Sequence, residues 1–160
     1  MIKFLFFLQL LLVPNLYSLE IKCAFEEVYS DGSVQNGFFL IKDKKLRYEY
    51  NSDDLFTIFH NHERFFLVKN NNKEIISTID ENTEIIKELL YLADNFPNVE
   101  EEYRSENLII KLEKNSQGNF FKRISILSNE IQMSIYLNEC QNSKIKSRFF
   151  IHNPFFDYKF

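Results

Sequence analysis

The chain has 160 residues, 45 % hydrophobic and 26 % charged, with a formal net charge of −4. That composition fits one globular domain and disfavours nucleic acid or an acidic membrane surface as partner. Phe (18) and Tyr (8) are abundant, Trp is absent and Gly and Pro number three each, a bias toward pleated strands with few breakers.

Lys3, an apolar run over residues 4–13 and a small residue at Ser18 make a secretory signal over residues 1–18, too short to span a membrane. The domain is then residues 19–160, exported and soluble. Cys23 and Cys140 remain after cleavage. An oxidising compartment lets them pair, since the first and late strands of a curling sheet can become neighbours; two free core cysteines are the equal alternative.

Residues 20–30 read as a strand ended by the turn Ser30-Asp31-Gly32-Ser33. Residues 37–51 follow as a hairpin, an apolar strand entering a short basic turn and a second strand leaving it. Leu46, Tyr48 and Tyr50 fall on one face of that second strand and Arg47 and Glu49 on the other. Apolar strands at 55–59 and 65–68 flank a turn at Asn61-His62, and a polar turn at 70–73 leads to a strand at 75–79. Ile85, Ile86, Leu89, Leu90 and Ala93 then form one wide apolar stripe, which predicts a helix over 83–93. After Glu100, Glu101 and Glu102, strands are expected at 108–112, 120–127, 131–137 and 146–151.

Residues 38–41, 55–59 and 65–68 are apolar on both faces, and one short helix cannot cover a large sheet. Either the sheet curls on itself as a barrel or sandwich does, or it lines a cavity for an apolar ligand. His60, His62 and Glu63 fall at a turn and read as a solvated hairpin, so no metal is assigned. Acidic runs such as Glu26-Glu27 read as solvated faces. With no Gly-x-Ser-x-Gly elbow, no Cys-x-x-Cys pair and too few glycines for a phosphate loop, nothing argues for an enzyme or a cofactor.

The order of these motifs resembles the outer-membrane lipoprotein carrier (LolA) family over most of the mature chain. The resemblance rests on Ala24-Phe25-Glu26-Glu27 with Asp31-Gly32, on Gly37-Phe38-Phe39, and most closely on Leu46-Arg47-Tyr48-Glu49-Tyr50. Residues 58–68, 85–92 and Phe150, Pro154, Phe156 and Asp157 follow in the family's order. It implies a mainly β fold, a strongly bent antiparallel sheet or incomplete β-barrel under a short helical lid. It also implies a monomeric periplasmic chaperone that holds the acyl chains of lipoproteins. Such a carrier receives cargo from an inner-membrane ATP-driven release complex and passes it to an outer-membrane acceptor. Phe38, Leu40, Leu46, Tyr48 and Tyr50 are expected to face the cavity, with Ile85, Ile86, Leu89 and Leu90 on the lid. Lys42-Asp43 stands where the family commonly has Arg-Pro, which makes Lys42 the expected lid latch, without the planar fork of arginine. The family's amphipathic helix ahead of the first strand is missing. A non-catalytic β-module that binds another lipid or a protein partner is the alternative.

Overall fold

The computed structural model describes residues 20–61, 64–79, 88, 91–92, 95, 98–116, 120–129 and 131–153. Ten strands form one open sheet: β1 (Glu20–Tyr29), β2 (Val34–Lys42), β3 (Lys45–Tyr50), β4 (Phe56–Asn61), β5 (Arg64–Lys69), β6 (Ile75–Ile79), β7 (Glu102–Arg104), β8 (Leu108–Lys114), β9 (Phe121–Ser128) and β10 (Gln132–Asn142). The order across the sheet is β6-β5-β4-β3-β2-β1-β10-β9-β8-β7, and every neighbouring pair is antiparallel. Two meanders therefore run outward from a central seam between β1 and β10.

Local chemistry sets the turns. Gly32 takes φ +83°, a left-handed conformation that glycine adopts without steric cost, and the Asp31 carboxylate accepts from the amide and hydroxyl of Ser33 at 2.8 and 2.7 Å. Asp43 and Lys44 both have positive φ, 49° and 60°, and Lys42 pairs directly with Lys45. That is a two-residue hairpin whose backbone twist matches its strands.

This turn fixes which residues share a face. Phe39 lies opposite Tyr48, and Ile41 opposite Leu46, so Phe39 and Ile41, not Phe38 and Leu40, accompany Leu46 and Tyr48. The expectation that Phe38 and Leu40 join that set is corrected. Because side chains alternate with period two, a one-residue difference in register moves a whole set to the other face.

The inner face is apolar across nearly the whole sheet: Ile21, Cys23 and Phe25 on β1, Phe39 and Ile41 on β2, Leu46 and Tyr48 on β3, Phe65 on β5, and branched residues of β8, β9 and β10 form one buried cluster. At the seam Cys23 and Cys140 form a disulfide with Cα atoms 4.1 Å apart. The register shifts there between Lys22 and Ala24, and Glu139 takes φ 53°, so the bond sits in a bulge of the β1–β10 pair.

Residues 146–151, expected as a strand, instead carry a 3-10 turn at Ser147–Phe150. β1 and β9 already flank β10. The segment crosses the outer face instead, burying Ile145 and Phe150 with Leu40. Residues 88, 91, 92 and 95 are helical, and Leu92 joins the inner-face cluster. Ile85, Ile86, Leu89 and Leu90 lie outside the described residues, as do the signal segment and the His62-Glu63 pair. Among the described residues no helix is long and apolar enough to cross a membrane.

Candidate functional site

A buried carboxylate interrupts the apolar inner face. Glu27 continues the period-two series Ile21, Cys23, Phe25 along β1 and is only 2 % exposed. Three phenols donate to its carboxylate: Tyr48 Oη to Oε1 at 2.6 Å, Tyr29 Oη to Oε2 at 2.7 Å, and Tyr50 Oη to both oxygens at 3.2 and 3.0 Å. An ionised carboxylate is an acceptor only, with about four lone-pair sites, so it can take all of these bonds.

Gly37 makes the cluster possible. It lies on β2 between Phe25 of β1 and Tyr50 of β3, and a Cβ there would strike the Glu49 carbonyl and the Phe25 ring. With no side chain at that place, the Phe25 ring covers it and the β3 tyrosines reach across β2 to Glu27. Phe25 stacks on Tyr48 with centroids 4.1 Å apart. Tyr50 meets Phe25, Tyr48 and Phe56 edge-on at 5.5, 5.6 and 5.3 Å, the geometry that aromatic quadrupoles favour.

Burial, then hydrogen bonding to Glu27 and its negative charge, raise the Tyr29 phenol from 10.0 to about 12. Burial, and next the charge of Glu27, push Tyr48 and Tyr50 above the ordinary phenol range. All three therefore stay neutral donors at physiological pH. Behind them, Asn70 Nδ2 donates to the carbonyls of Tyr50 and Ser52 at 2.8 Å each, and Thr57 Oγ1 donates to Asn70 Oδ1 at 2.8 Å. This buried amide fixes the exit of β3 beside Tyr50.

The outer face of β2–β4 has a different chemistry. Arg47 is 4 % exposed, paired with Glu49, and lies 5.6 and 5.4 Å from the ring centres of Phe38 and Phe59. Its Nη1 donates to the Phe149 carbonyl at 3.4 Å. Lys42 Nζ donates to the Ile145 carbonyl at 2.8 Å and pairs with Glu20 at 2.9 Å, while Glu20 Oε2 accepts from the Ile145 amide at 2.7 Å. The residue expected to latch a lid thus holds the 145–150 segment to the outer face.

A scan of the chain against models of known protein families finds no match, and a search of curated proteins finds none either. The site is defined by its own geometry. Of the expected cavity residues, Leu46, Tyr48 and Tyr50 share the inner face, whereas Phe38 and Leu40 pack under the outer segment. Beside the sheet edge, a hollow of about 440 Å³ opens between Glu88, Tyr91 and Leu92 on one side and Val99 and Tyr103 on the other. Glu27 is the residue that composition misleads on, because its neighbour Glu26 is exposed and the pair looks like a solvated run. The signal that finds it is the alternation, which places Glu27 with Phe25 and not with Glu26.

Proposed function

We propose that the protein carries acyl chains on the inner face of its sheet, as a periplasmic lipoprotein or lipid carrier without catalytic activity. The observation that carries this reading is a ten-stranded open sheet whose inner face is apolar from β5 to β8. Those side chains are buried against one another and against Leu92, so a bound acyl chain takes its place between the sheet and that cover.

A bent sheet is the finer form of the proposal. Phe39 on β2 and Phe120, just ahead of β9, have ring centroids 6.1 Å apart although β1 and β10 lie between those strands, a span of about 14 Å at ordinary strand spacing. Leu92, a helical residue, packs on the same face, as a lid residue would. On this reading cargo arrives from an ATP-driven complex of the inner membrane and leaves to an acceptor in the outer membrane.

A specific observation favours a second reading, a binding module whose inner face is filled by its own side chains. The 4.1 Å stack of Phe25 on Tyr48 already occupies part of that face. Delipidating the purified protein and titrating a fluorescent acyl probe separates the two. A carrier gives saturable one-to-one binding that Leu46→Arg abolishes, since a charge in an apolar site is strongly disfavoured. Absence of saturable binding leaves the filled module.

A further inference from the structure

Glu27 is a buried negative charge with no salt-bridge partner among the described residues, held only by neutral phenols. Buried carboxylates are ordinarily paired with a cation, because leaving water is costly for an isolated charge. Hydrogen bonds from three tyrosines hold the carboxylate in place, yet no described residue supplies a counter-charge. Its field therefore extends into an apolar surround, where charges act more strongly than in water.

The same residues surround that carboxylate with aromatic faces. Phe25, Tyr48, Tyr50 and Phe56 form a contiguous ring cluster, and such faces attract cations through their quadrupoles. The cluster also lies at a rim. Tyr29 ends β1 beside the exposed turn at Asp31 and Gly32, and both Tyr29 and Tyr50 are only half-buried.

We propose that Glu27, with Tyr29, Tyr48 and Tyr50, is the headgroup end of the acyl-binding face and selects single-chain amphiphiles that end in a protonated amine or quaternary ammonium. The proposal rests on the carrier reading and adds a ligand class to it. An apolar tail lies along the inner face, and its cationic end supplies the counter-charge that no described residue gives Glu27. A fatty-acid carboxylate at the same place sets two like charges side by side and is rejected.

The test uses three probes with the same tail, dodecyltrimethylammonium, dodecanol and dodecanoate, titrated calorimetrically at pH 7.5 below their critical micelle concentrations. The ammonium binds about tenfold tighter than the alcohol and about a hundredfold tighter than the carboxylate, each factor of ten corresponding to 1.4 kcal/mol. Glu27→Gln brings the three within about threefold of one another, as expected when the field of one buried charge is removed. Glu26→Gln makes the same change of charge on the exposed face and preserves the preference. If the alcohol binds as tightly as the ammonium, the headgroup assignment falls while the carrier reading stands. If none of the three binds, the carrier reading falls and takes the assignment with it. Should Glu27→Gln not fold, the wild-type series and Glu26→Gln still decide: a preference lost equally in Glu26→Gln is general surface attraction, and the proposal is wrong.

Discussion

The two wings of the sheet solve the problem of covering apolar surface differently. In the β2–β4 wing the outer face, where Phe38, Leu40 and Phe59 surround the buried Arg47, is covered by the chain's own 145–150 segment, with Leu40, Ile145 and Phe150 buried together. In the β8–β10 wing the outer face has no such cover among the described residues. It carries the ion pairs of Glu113 with Lys122 and Arg123, a Ser125–Ser134 hydrogen bond, and a shallow groove of about 470 Å³ beside Leu127 and Tyr136. The strands record the difference: the segment 38–41 is apolar throughout, while β9 and β10 alternate. A continuous apolar strand here marks a sheet covered twice, and an alternating one a sheet covered once.

The largest test concerns the seam where the wings meet. Replacing Cys23 and Cys140 by Ser removes a link across a sequence separation of 117 residues, and loop-closure entropy puts the loss at about 5 kcal/mol before native strain is counted. Urea unfolding of the double variant against wild type measures it. A loss below about 1 kcal/mol means that strand pairing alone holds the wings together.

Phe150→Ala against Leu127→Ala compares the outer faces directly. Phe150 is 1 % exposed and Leu127 46 %, so the first costs about 3–5 kcal/mol and the second stays within about 0.5 kcal/mol. Equal losses would abolish the distinction drawn between the wings.

The inner tyrosines give an alkaline signature. A phenol raised from 10.0 to about 12 on folding contributes stability that is complete below pH 10 and is lost as pH rises toward 12. Melting temperatures should fall steeply over that interval, and Tyr29→Phe should flatten the decline.

A modest effect belongs to Lys42→Ala, which loses one hydrogen bond to Ile145 and a partly exposed ion pair with Glu20, about 1 kcal/mol in all. Hydrogen bonding from Lys42 and the Ile145 amide lowers the Glu20 carboxyl below 4.5. Its contribution is present above that value and disappears as pH falls through the lowered one, so the variant and wild type converge in acid.

Sequence alone revealed the strands more readily than their faces. The strand at 75–79 was placed residue for residue, and the turn at Asp31-Gly32 followed from its chemistry. The sequence leaves open whether Phe38 and Leu40 or Phe39 and Ile41 join the inner face, because 38–41 is apolar on both sides and periodicity has no hold on such a run. Only the two-residue length of the turn at Asp43-Lys44 resolves it, and neither residue is the usual Asn or Gly. β7, three residues long, follows an acidic stretch that reads as a connection. Residues 146–151 have strand-like composition, but both sides of β10, the strand they follow, are already paired, which is a tertiary fact. Lys42 and Glu20 meet Ile145 from more than a hundred positions away, and no local pattern announces that.

The central place of β1 also governs how the molecule assembles. One edge of β1 pairs with β2 after a turn of a few residues, while the other waits for β10, whose pairing with it spans residues 21 to 142. Contacts so distant in sequence make folding slow, and until β10 arrives the half-built sheet carries an unpaired edge in its middle, where edge-to-edge association between chains begins. Completion of the sheet must therefore follow synthesis of nearly the whole described chain.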